Sequence, residues 1–70
     1  MKRLKRIFFS SVRDYFYILR TTPNIDELCI TRNSIEDIAK TMYFNNVITY
    51  NTLKNIRALA GAIVNKRILK

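Results

Sequence analysis

Apolar residues recur along this chain at helical spacing, with polar residues between them. Leu4, Ile7, Phe8, Val12, Tyr15, Phe16 and Leu19 cover a broad arc, with Phe9 at its edge. That is the pattern of a helix from Leu4 to Arg20 with one face against a core. Thr21-Thr22-Pro23-Asn24 interrupts it, because proline fixes its own φ and pushes the preceding residue out of helical geometry. Asn24 and Glu27 stand at capping spacing, which predicts a short second helix over roughly residues 25–30. The β-branched pair Ile30-Thr31 could instead be extended.

Thr31-Arg32-Asn33 reads as a connection, because Ser34 and Asp37 repeat the capping spacing and predict a fresh helix start. Ile35, Ile38, Ala39 and Met42 share the buried face of that segment. Asn45-Asn46 is its expected stop, since asparagine tolerates the left-handed conformation. Val47-Ile48-Thr49-Tyr50 is either a brief strand or a turn, with Thr49 placed to cap the next helix. From about Tyr50 onward, Leu53, Ile56, Ala60, Ile63 and Val64 gather on one side of a long helix. The expected fold is all-α: one domain over residues 1–70, a small bundle of three to four helices with a helix-turn-helix-like C-terminal half.

The polar side of the last helix is the more informative one. It carries Asn51, Lys54, Asn55, Ala58, Gly61, Ala62, Asn65 and Lys66, and no carboxylate. Lysine holds phosphates, asparagine can pair bidentately with adenine, and the small residues between them permit close approach. On the first helix Arg6, Arg13 and Arg20 are spaced by seven, with Lys2 one turn before. This places them in a row about 10 Å apart, which suits backbone phosphates as well as it suits a helix face turned to water. The residues expected to touch DNA are therefore Asn51, Lys54, Asn55, Arg57, Asn65 and Lys66 on the last helix, with Arg6 and Arg13 on the first.

Charge sharpens this reading. The 70 residues carry a net +8, and the distribution is uneven. Residues 1–13 hold +5 and residues 38–70 hold +6, both without an acid, whereas all five acids fall between them. Two cationic ends around an acidic middle suit a polyanion, with nucleic acid ahead of an anionic membrane. No stretch is long and apolar enough to span a bilayer. The start resembles the charged opening of a signal peptide, but its apolar run ends after three residues, Ile7-Phe8-Phe9; a cytoplasmic location is expected.

Catalysis is not expected. Histidine is absent, no Gly-rich phosphate loop is present, and Cys29 is the only cysteine, so neither a metal set nor an activated nucleophile is visible and no cofactor is implied. Cys29 is expected to be a small buried apolar residue. The pairs Asp26-Glu27 and Glu36-Asp37 fall at helix starts, where they would complement the helix dipole. A hydrophobic share of 49% is high for so short a chain, which makes a homodimer the expected state.

Two resemblances bear on function. Ile38, Ala39, Met42 and Phe44 resemble the first helix of a helix-turn-helix unit, although Tyr43 stands where its turn glycine usually falls and Ile48 and Leu53 require a longer turn. This implies a small DNA-binding regulator. Asp14-Tyr15 with Leu19-Arg20, and Leu53 through Ala62, are loosely similar to the Hha/YmoA family of small helical modulators. That likeness implies the alternative, action by binding a partner protein.

Overall fold

The computed structural model describes residues 2–69, with only the backbone for residues 2–4, and contains three helices: α1 (Lys2–Thr21), α2 (Ile25–Phe44) and α3 (Tyr50–Ile68). The side chains of Lys2 and Leu4, which head the arginine row and the apolar arc, lie outside this description. Within α1 the arc buries Phe8, Val12, Phe16 and Leu19, whereas Ile7 and Phe9 stay exposed.

Each break has a local cause. Around Pro23 the Thr22 N–H donates to the Ile18 carbonyl and the Asn24 N–H to Thr22 Oγ1. Asn24 Oδ1 accepts from the Asp26 and Glu27 N–H groups at 2.9 and 3.2 Å, capping α2 as the sequence predicts. At its other end the Asn46 N–H donates to the Tyr43 carbonyl and the Val47 N–H to that of Met42. Asn46 has φ 61°, completing a Schellman stop at the expected asparagine pair. Residues 47–49 form a turn rather than a strand, and Thr49 Oγ1 accepts from the Thr52 N–H to open α3.

Two expectations need correction. Ser34 does not start a helix: α2 runs unbroken from residue 25 to 44 through the presumed connection at Thr31-Arg32-Asn33. Leu28, Thr31, Ile35 and Ala39 are buried at successive helical intervals. They form one stripe that crosses the supposed break, and no glycine or proline lies there to stop propagation. The threonine within that stripe is what disguises it in the sequence. Glu36 and Asp37 consequently lie in mid-helix and not at a positive helix end.

Cys29 is exposed, not buried. One residue past Leu28 on a helix turns about 100° away from the stripe, onto the outer surface. Native protein should therefore react stoichiometrically with a thiol reagent at a rate within a few-fold of denatured protein. Strong native protection would contradict this rotation of α2.

The helices run up, down and up. α2 and α3 lie antiparallel along their length, with Tyr43 against Tyr50, Glu36 against Arg57, and Leu28 beside Arg67 and Ile68. α1 is thereby parallel to α3, and both end beside the start of α2. The core is one cluster in which Phe8, Leu19, Ile35 and Ala39 meet Ile48, Leu53, Ala60 and Val64. Ala39 and Ala60 are fully buried and let the helices approach closely. No described helix is long and apolar enough to cross a membrane.

Candidate nucleic-acid interface

The buried side of α3 consists of Leu53, Ala60 and Val64, flanked by the half-buried Ile56 and Ile63. This fixes which residues face out. Asn51, Lys54, Asn55, Arg57, Asn65 and Lys66 are all exposed, as are Arg6 and Arg13 on α1. Around the outer arc of α3, Asn51, Asn55, Ala58, Ala62 and Asn65 occupy the middle, and Lys54 and Lys66 stand at its two edges about 120° apart. Amides and methyls at the centre with ammonium groups at the margins suit a helix that meets base edges along its ridge and phosphates on either side.

The carboxylate-free character of this face holds for α3 itself but not for its neighbours. Glu36, from the middle of α2, sits 3.7 Å from Arg57. The two line a hollow of about 280 Å³ together with Lys54, Tyr50, Leu53 and Ala58. Among the described residues Glu36 is the only acid within ion-pair distance of a base on α3. Arg57 therefore already has a partner within the fold. The Arg57 side chain is half exposed and that of Glu36 a quarter exposed, so the net contribution of the pair is small.

The arginines of the row on α1 are all exposed, and they differ in their surroundings. Arg13 has Asp14 beside it at 3.9 Å, both largely in water. Arg6 lies about 21 Å from Arg20 along the helix, toward the far end of the bundle. Arg20 lies over the Phe16 ring, 5.8 Å from its centroid, and borders the last turns of α3.

Sequence reasoning missed Arg67. Its Nη1 donates to the Leu19 carbonyl at 3.0 Å. That carbonyl belongs to the last turn of α1, where acceptors lack partners within their own helix. A separation of 48 residues hides such a bond from any local pattern.

Gly61 has open space around it, since an added Cβ would meet nothing within 4 Å. Nothing among the described residues therefore requires a glycine there. Gly61→Ala should stabilise the domain by about 0.5–1 kcal/mol through helix propensity, measured as a rise in the denaturant midpoint. A loss of stability would mean that the backbone at this position is held in a way the fold does not explain.

No protein-family model matches this chain, and no curated protein or solved structure matches it significantly.

Proposed function

We propose that the protein is a small basic DNA-binding regulator that contacts the duplex through the outer face of α3 and works as a dimer. The single observation that carries this reading is the arrangement on α3: Asn51, Asn55 and Asn65 exposed along the ridge, with Lys54 and Lys66 exposed at its edges. The asparagine amides offer the paired donor and acceptor that an adenine edge requires, and the lysines supply the salt-dependent attraction to phosphate. The turn between α2 and α3 lets α3 pack its Leu53, Ala60 and Val64 side into the core and leave the opposite side open. Ala58 and Ala62 at its middle add no bulk to hold a groove floor away. An overall charge of +8 adds long-range attraction to any duplex.

The test is duplex binding by the full chain, followed by fluorescence anisotropy over a range of salt concentrations. A steep linear fall of log K with log salt is the expected result. Absence of binding at low salt would remove the reading and leave the second one, docking of the same face on a partner protein. The exposed Ala58, Leu59 and Ala62 beside the unfilled space at Gly61 favour that alternative, because small residues let helices pack closely.

A further inference from the structure

A second cationic feature lies away from the ridge of α3, where α1 and α3 finish side by side. Arg20, Ile63, Lys66 and Arg67 line an open groove of about 520 Å³ with no acid among them. The three cations come from two helices, and only the parallel course of α1 and α3 brings them together. Neither Arg20, Lys66 nor Arg67 has a carboxylate within 4 Å among the described residues.

Helix ends explain part of this cluster. The last turns of α1 and α3 each carry roughly half a negative charge, which cations there offset. Arg67 serves that role directly, by bonding the Leu19 carbonyl. One such bond uses only one of the several N–H donors of a guanidinium. Arg20 and Lys66 are both exposed, and the surplus of three cations over two half-charges leaves the groove positive. The site is also pre-shaped: Arg67 is anchored by its carbonyl, Arg20 lies over the Phe16 ring, and Ile63 supplies an apolar wall. Two guanidiniums and an ammonium around one concavity match a tetrahedral oxyanion, which accepts bidentate hydrogen bonds from arginine.

We propose that Arg20, Lys66 and Arg67 form a phosphate-binding groove that seats a backbone phosphodiester of nucleic acid at the C-terminal end of α3. The inference rests on the nucleic-acid reading above and gives it a fixed register. A phosphate held here sets how far α3 advances along the duplex, so that Asn51 and Asn55 meet a defined pair of bases. Arg20, which the ridge of α3 does not include, becomes a positioning residue for binding.

The experiment compares Arg20→Gln with Lys40→Gln, a change that removes the same charge from an exposed position on α2, in the half of that helix remote from the groove. Both proteins and the wild type are titrated with duplex DNA at several salt concentrations. Arg20→Gln should lower the salt slope by about 1, whereas Lys40→Gln should leave it unchanged. If the two variants lower it equally, the groove is only part of a diffuse charge and the proposal falls while the α3 reading stands. An unchanged slope in Arg20→Gln has the same consequence. If the wild type binds no duplex, both readings fail. A second arm titrates isotope-labelled wild type with pyrophosphate and follows backbone amides by NMR. Saturable shifts centred on residues 19–22 and 63–67, lost in Arg20→Gln, support the groove. Shifts spread over all basic surfaces overturn it. Saturation by pyrophosphate without any duplex binding would make the ligand a free anion and overturn the assignment to nucleic acid.

Discussion

Ile35→Ala is expected to strip the domain of a large share of its stability. Ile35 is fully buried at the centre of the α2 stripe, between Thr31 and Ala39. Removing its outer methylene and two methyl groups loses transfer free energy and leaves a cavity that a three-helix core can only partly close, at a cost of about 2–5 kcal/mol. A chain of this length has about 4–10 kcal/mol of total stability, so one substitution takes away a large fraction of it. Each kcal/mol lowers Tm by about 4–8 °C in a domain of this size. Thermal melts followed by far-UV circular dichroism should therefore show a fall on the order of 10 °C or more. The companion change Ile30→Ala provides the contrast. Ile30 is 65% exposed, so its loss should cost no more than about 0.5 kcal/mol. The pair also tests the continuity of α2, because a helix beginning at Ser34 would leave Ile35 in a fraying first turn. Comparable losses for the two variants would contradict the register described here.

Local chemistry made much of the fold legible. Pro23, the Asn24 cap, the Asn45-Asn46 stop and the Thr49 cap each act over a few residues, and each falls where the sequence places it. The buried side of α3 follows from periodicity alone, and with it the exposure of the six candidate contact residues on that helix. What failed did so for two reasons. Ser34 and Asp37 have capping chemistry, but a helix already under way from Asn24 does not stop for a possible cap. Burial of Thr31 in the stripe carries the helix onward. Residue type alone suggests a buried Cys29, whereas its place on the helix, one position past Leu28, turns it outward. The remaining surprises, Arg67 on the Leu19 carbonyl and Glu36 beside Arg57, are meetings between helices. They depend on the relative course of α1, α2 and α3, which no window of local sequence contains.

The double change Lys54→Gln with Lys66→Gln should weaken duplex binding about 60-fold at 0.1 M salt, since each lost phosphate contact contributes about 0.9 to the salt slope. Both lysines are exposed at the margins of the α3 face, so the fold should hold and the melt of the variant should match the wild type within about 0.5 kcal/mol. The slope should fall by about 1.8 and the loss should be nearly uniform across duplex sequences, because a phosphate contact carries no base information. Asn51→Ala and Asn55→Ala should behave in the opposite way. Each should leave the salt slope alone and cost about 1–3 kcal/mol only on the preferred sequence, which flattens discrimination and spares non-specific binding. Anisotropy titrations on one preferred and one scrambled duplex separate the two classes. A lysine variant that binds a partner protein as tightly as the wild type, while all variants bind both duplexes alike, would instead identify the α3 ridge as a protein-docking surface.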